Sequence, residues 1–563
     1  MTGDGRYGRG QRKVRFGNAA GVLGAGLWSL GVLAGCGAPD RVLVDVGDSV
    51  GDNGDAVVSD GTFSEQRFRV LSVDGTSLEA RAWVPNALHP GAKFPAILFV
   101  NSWAFNSHEY TAPAVEFAKQ GYIVVAYCTR GFGSSGGSIS VAGPADLADL
   151  AAVLDWVEAR TPVNADAIGM AGISYGAGIS LLGAALEPRV KVVVAMSGFT
   201  DLDRALDGND TPRLLWGLLL LGSGEVLGRM DPAVPALYQD VLANRRIPEG
   251  EAFLALRSPI TYLAALNASR KPLYLSNNLQ DELFQPNPVL DFYAAYQGPK
   301  RLDLNRGMHG SAELPGLLGF KSFLWDNAHA WFDHYLMHRP NGIERAPPVT
   351  MQHNFDDARV SFEAWPSASV TAAELFLTPR SFLKHGTLSP TATTEPQSEH
   401  FESGIETVAS SGFPVLSSVL EAHTPLRVHA IPDLMNPLNG VVYVSAPYPL
   451  GLSLRGKSSL HLRASAAGGA AMLVVYLYDV GKDFVGTLLS SGVRTLRGAD
   501  GAPPQELDVD LSALVHDLPP GHQLGVAVDT VDILYAPPSL LPHRVDLWYG
   551  GEHAPSLTLQ VAK

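Results

Sequence analysis

The sequence predicts an α/β domain with a mainly parallel sheet and a helical insertion, followed by a β-sandwich. Three observations carry this. Short β-branched runs alternate with helical periods from residue 67 to 305. That alternation stops between residues 199 and 270, where the pattern becomes largely helical. Beyond Pro347-Pro348 short alternating runs are separated by Gly, Pro and Ser. A chain of 563 residues also exceeds what one core usually supports, and 46% apolar with 17% charged residues is a globular composition.

In chain order, the first segment is an address rather than part of the fold. Arg6, Arg9, Arg12, Lys13 and Arg15 precede a Gly-rich apolar run that ends in Leu33-Ala34-Gly35-Cys36. A basic stretch before a short apolar stretch is the layout of a signal peptide over residues 1–35. The closing tetrapeptide resembles the bacterial lipobox, so Cys36 is the expected lipidation site, anchoring the mature protein to the cell envelope. Residues 36–62 contain six Asp between positions 40 and 60 and no apolar period, and are expected to form a solvated tether.

The catalytic α/β domain is expected over residues 63–346. Its strands are read at 94–100, 122–127, 167–173, 190–196, 272–276 and 301–304, continuous apolar runs of the kind a parallel sheet covered on both faces produces. Residues 145–160 and 287–297 read as crossover helices. The insertion at about 200–268, including the apolar stretch 214–221, would sit over the carboxyl ends of the strands as a cap. Residues 347–563 are expected to form the β-sandwich, with strands at 441–444, 460–463, 473–477 and 524–528.

Composition excludes several functions. The net charge of -15, with no basic cluster beyond the first sixteen residues, leaves no electrostatic footprint for nucleic acid. No CxxC or HExxH occurs, so neither a metal nor another cofactor is expected. Cys36 and Cys128 are the two cysteines; lipidation of the first leaves Cys128, in an apolar run, as a buried structural thiol.

Gly172-Ile173-Ser174-Tyr175-Gly176 matches the nucleophile elbow of the α/β-hydrolase fold, whose glycines permit a sharp strand-to-helix turn presenting the serine hydroxyl. The pattern also occurs around Ser49 and Ser135, but only Ser174 follows an apolar strand and precedes a helix-forming run. A serine hydroxyl needs a histidine to take its proton and an acid to orient that histidine. In this fold the order is Ser, acid, His, each after a late strand. Asp281, chosen over Glu282, follows the strand at 272–276, and His309 follows the strand at 301–304 between Gly307 and Gly310. His329 and His334 fall in a helical pattern and are expected to pack on it. The oxyanion donors are expected to be the Tyr175 main-chain N–H and a group of Trp103 in the loop after residue 100, although Trp103 also reads as pocket wall.

Beyond these elements, Thr129-Arg130-Gly131-Phe132-Gly133-Ser134-Ser135-Gly136-Gly137, Trp331-Phe332-Asp333-His334-Tyr335-Leu336 with Asn341-Gly342 and Pro348-Val349, Leu477-Tyr478-Asp479-Val480, Pro520-Gly521-His522-Gln523-Leu524 and His553-Ala554-Pro555-Ser556-Leu557 are similar to motifs of one family. The chain resembles the Xaa-Pro dipeptidyl-peptidase-like serine hydrolases, which include cocaine esterase, α-amino-ester hydrolases and glutaryl cephalosporin acylases. The resemblance implies a jelly-roll, galactose-binding-like, for the C-terminal domain. It implies Ser174, Asp281 and His309 as the triad, and Ser135 as a loop residue. One position departs from the family. Where members often carry a tyrosine whose hydroxyl serves the oxyanion, this chain has Trp103, so an indole N–H or the main chain would substitute. The expected substrate is a short peptide or small ester or amide. A dipeptidyl peptidase would also need carboxylates for the substrate amine, for which Asp201 and Asp203 are candidates. The reading from another class is a non-catalytic ligand-binding lipoprotein.

Overall fold

A computed structural model describes residues 58–563, apart from 60, 88, 244, 246, 382–383, 411–416, 418–420, 422–425, 499–502 and 552–553. The expected signal peptide, Cys36, the Ser49 motif and most of the tether lie outside the described residues. Among the described residues no helix is long and apolar enough to cross a membrane.

The first sheet has eleven strands: β1 (Val58–Ser59), β2 (Phe63–Leu71), β3 (Ser77–Pro85), β4 (Phe94–Val100), β5 (Ile123–Tyr127), β6 (Val163–Ile173), β7 (Val192–Met196), β8 (Leu273–Asn278), β9 (Lys300–Asn305), β10 (Val349–Gln352) and β11 (Arg359–Phe362). Their spatial order is β1-β2-β3-β5-β4-β6-β7-β8-β9-β10-β11. From β5 to β10 every neighbouring pair is parallel, and the pairs at both margins are antiparallel.

Both faces of the parallel centre of this sheet are buried, which is why strands β4 to β8 read as largely apolar runs. On β4, Leu98 and Val100 join one core with Val125, Met170 and Val193, packed by helices Pro144–Arg160 and Tyr175–Leu186. Ile97 and Phe99 point the other way, into a core with Val124, Ala171 and Val194 covered by helices Thr111–Lys119 and Phe323–Met337. The insertion expected at 200–268 holds helices Leu202–Asp207, Leu214–Leu227, Ala233–Leu242, Pro248–Ala255 and Leu263–Ser269 between β7 and β8.

Two boundaries move. The sandwich was expected from residue 347, but β10 pairs in parallel with β9, Val349 opposite Leu302, and β11 turns back antiparallel on β10. The first sheet therefore runs past Pro347-Pro348 to Phe362; prolines break the local pattern without ending the sheet, because its exposed edge still offers hydrogen bonds to the next strand. At the other end, Val58–Ser59 pairs with Ser64–Glu65, inside the stretch expected as tether.

The remaining residues form the second β-rich unit, dominated by the long antiparallel strands Leu452–Ala466, Ala470–Val480, Gly486–Arg497 and Gln505–Leu518. Leu460, Leu473, Val475, Leu477, Val509 and Val526 fill its core. The alternate residues of Ala470–Val480, Met472, Val474, Tyr476 and Tyr478, pack instead into the large cluster shared with the α/β domain.

Candidate active site

The turn after β6 is built for close approach. Ser174 has φ +57° and ψ -114°, outside the regions a side-chain-bearing residue prefers. A Cβ on Gly172 would lie 2.4 Å from the Gly176 carbonyl carbon, and one on Gly176 would lie 2.1 Å from the Val100 carbonyl oxygen. Only glycine fits either position, so strand, serine and helix can meet there.

Three side chains remote in sequence converge at this turn. His309 Nε2 lies 2.8 Å from Ser174 Oγ, and His309 Nδ1 lies 2.8 Å from Asp281 Oδ2. The other Asp281 oxygen accepts the main-chain N–H groups of Leu283, at 2.9 Å, and Phe284, at 2.8 Å. These donors suit an ionised carboxylate, so Nδ1 carries a proton toward Asp281 and the Nε2 lone pair is left to accept from the serine hydroxyl. Burial opposes charging of His309, but the Asp281 carboxylate, by proximity and hydrogen bond, and Glu313 beyond it outweigh that and hold the imidazole above its usual 6.5. Edge contacts from Phe284, at 5.2 Å between ring centroids, and from Trp216 of the cap, at 6.1 Å, wall the ring in.

Trp103 sits beside Ser174 and Tyr175 in the pocket, but its indole N–H donates to Leu220 O at 3.0 Å and Ser223 Oγ at 3.2 Å in the cap. The indole is thereby a wall and a cap anchor, which corrects the expectation that it could serve an oxyanion. The Ser102 N–H is also committed, to Glu109 Oε2 at 2.8 Å. Among the described residues nothing accepts from the main-chain N–H of Trp103 or of Tyr175. The Tyr175 hydroxyl is held away from the serine, accepting from Ala142 N at 2.8 Å and donating to Asp146 Oδ2 at 3.2 Å.

Over the serine the cap closes a pocket of about 120 Å³. Its walls are mainly apolar: Leu220, Leu221, Leu237, Val241, Phe253 and Leu254 from the cap, with Phe199 and Phe284 from the core. Asp201 and Asp203 are absent from this wall; Asp201 caps its own helix, accepting from Arg204 N at 3.2 Å. The acid in the lining is Asp207, which the sequence reading did not single out.

The other sequence candidates lie elsewhere. Ser135 is buried, donating to Cys128 O at 2.7 Å and accepting from Glu79 N at 2.8 Å, a loop staple rather than a nucleophile. Burial pushes the Cys128 thiol up to about 12, which keeps it protonated and inert. His329 stacks on Phe117, and His334 lies 3.4 Å from Glu344. Among the described residues no cluster of His, Cys, Asp and Glu is arranged to hold a metal ion.

Comparison with known proteins agrees with this architecture. Residues 74–311 match the X-Pro dipeptidyl-peptidase (S15 family) domain, and residues 341–547 match the X-Pro dipeptidyl-peptidase C-terminal non-catalytic domain. A CocE/NonD family hydrolase from Staphylococcus aureus shares the fold at a TM-score of 0.71 and 14% identity, over 94% of this chain and 99% of that one. An alpha-amino acid ester hydrolase does so at 0.67 and 18%, over 93% and 100%. An aminopeptidase from the marine sediment archaeon Thaumarchaeota archaeon reaches 0.64 and 16%, over 92% and 100%. At such identities the likeness concerns the fold alone. An uncharacterized 31.7 kDa protein in the traX-finO intergenic region of Escherichia coli is 32% identical over 93 residues, a match spanning 32% of that relative and 16% of this chain. By its two matched domains, which together span most of the chain, it belongs to the X-Pro dipeptidyl-peptidase-like family of hydrolases.

Proposed function

We propose that this protein is a serine hydrolase that cleaves an ester or amide through an acyl-Ser174 intermediate, the acyl group being apolar and uncharged. The observation that carries the reading is the continuous hydrogen-bonded line from Ser174 Oγ through His309 to Asp281. As Ser174 Oγ attacks the carbonyl carbon, its proton passes to His309 Nε2. The carbonyl π electrons move onto oxygen, where the main-chain N–H groups of Tyr175 and Trp103 are the donors at hand. Collapse of the tetrahedral intermediate expels the alcohol or amine, which takes the proton from His309. Water, deprotonated by the same imidazole, then attacks the acyl carbon; the bond to Ser174 Oγ breaks, the serine oxygen takes the proton back from His309, and the acid leaves.

The substrate class follows from the wall chemistry. A dipeptide with a free amine buries a cation, which needs a facing carboxylate. Here the space beside Ser174 is lined mainly by leucines, valines and phenylalanines, with Asp207 the one acid among the described residues of the lining. The peptidase reading rests on the family and on that single aspartate; the esterase or acylase reading rests on the remaining wall.

Ser174→Ala should retain the fold and lose about 10⁶ in kcat, since residues acting as a unit fail together. A fluorophosphonate probe should label the parent on Ser174 and leave the variant unlabelled. An unlabelled, inactive parent would favour the non-catalytic binding protein.

A further inference from the structure

Behind the triad lies a second carboxylate that the reaction as written does not use. Glu313 is fully buried, four residues beyond His309 in the same loop. Its Oε1 accepts the Ser197 hydroxyl proton at 2.7 Å, and its Oε2 lies 3.4 Å from Asn278 Nδ2. Ser197 Oγ in turn accepts from Asn278 Nδ2 at 2.8 Å and from the main-chain N–H of Gly310 at 3.3 Å. With both those contacts donating to it, Ser197 has one proton to give, and that proton points at Glu313. Both Glu313 oxygens therefore face donors, contacts that favour the ionised carboxylate, while burial pushes the carboxyl above its usual range.

Burying an unpaired charge is costly, and among the described residues neither lysine nor arginine pairs with Glu313. The nearby group able to become cationic is His309, whose charge and that of Glu313 act on each other. We propose that Glu313 is a positioning residue of this site: through Ser197 and the Gly310 N–H it fixes the His309 loop, and its charge supports the imidazolium formed when His309 takes the Ser174 proton. The titratable groups facing His309 are Asp281, from the loop after β8, and Glu313, from its own loop; Trp216 of the cap and Phe284, which also pack on it, are uncharged.

This inference rests on the Ser174–His309 reading, and the test separates the two. The pH dependence of fluorophosphonate labelling by the full chain reports deprotonation of His309 directly. In Glu313→Gln the acid limb should move to lower pH by about half a unit or more, because an anion that favoured the imidazolium is gone. Glu313→Asp, which keeps the charge, should recover part of the shift. If Glu313→Gln does not fold, Ser197→Ala serves: a buried carboxylate deprived of its donor becomes easier to neutralise, and the limb should move the same way. A parent that never labels defeats the hydrolase reading. A parent that labels, with an acid limb unmoved in whichever variant folds, defeats the role of Glu313 alone.

Discussion

At the scale of single residues, the site is held by groups whose ionisation differs from that in water. Asp146 shows the consequence. Its carboxyl accepts from the Tyr175 hydroxyl and from Gly143 N at 3.0 Å, at the start of helix Pro144–Arg160, and burial pushes it up to about 6 from 3.8. A carboxyl raised in the fold contributes stability that is fully present below its unfolded value and is lost as pH rises through the folded one. The relevant window is thus pH 3.8 to about 6. Asp146→Asn can keep the same acceptor and carries no charge. The Tm of this variant relative to the parent should become more favourable between pH 4 and pH 8 in thermal denaturation. A difference that stays constant with pH would mean that the carboxyl is already ionised in the fold at pH 4.

Among elements, the cap decides what reaches the serine. Helix Leu214–Leu227 carries Glu225 as its single charged residue, and its neighbours supply Leu237, Val241, Phe253 and Leu254 to the same cavity. Gly217 lets Tyr238 approach, since a Cβ there would lie 1.9 Å from the tyrosine hydroxyl. Each methylene of substrate buried in such a wall contributes about 0.8 kcal/mol. Across p-nitrophenyl esters of unbranched acids, kcat/KM should therefore climb about threefold to fourfold per added methylene until the cavity is full. Xaa-Pro p-nitroanilides should be poorer substrates than the best ester. Faster turnover of the free-amine dipeptide substrates would instead assign Asp207 to an ammonium group.

For the whole molecule, the β-rich C-terminal unit is part of the scaffold that holds the candidate site. Asn287, beside the acid loop, donates to Leu511 O at 2.8 Å and accepts from Ala513 N at 2.8 Å. Asn354 does the same with Leu489 O at 3.0 Å and Val515 N at 2.9 Å. These amides complete main-chain hydrogen bonds that would otherwise be buried unmade. Arg213 of the cap donates to Glu282 O at 2.9 Å and reaches the Tyr535 hydroxyl at 3.4 Å, linking cap, acid loop and sandwich. Asn354→Ala strands a buried donor and acceptor and should cost about 2 to 6 kcal/mol in denaturant unfolding, at the sum of two such penalties. A loss below 0.5 kcal/mol, the range of an ordinary surface change, would show that water replaces the amide.

What the sequence alone determined is local or periodic. The strand runs, the crossover helices and the elbow at Ser174 were legible because apolar period, glycine placement and chain order are written in adjacent residues. Asp281 and His309 were legible for the same reason, each following a strand in the order the fold demands. Tertiary structure decided the rest. No spacing marks Glu313 or Ser197, because their importance comes from burial against a loop more than a hundred residues away. The role of Trp103 turned on where its N–H found an acceptor, which was a cap carbonyl at Leu220. The first sheet continues past the Pro-Pro pair that marks the domain seam in the sequence, because strand pairing is settled by which edge is open rather than by the residues that precede the strand. Such facts depend on which distant groups share a dry interior, and only the packed chain determines that.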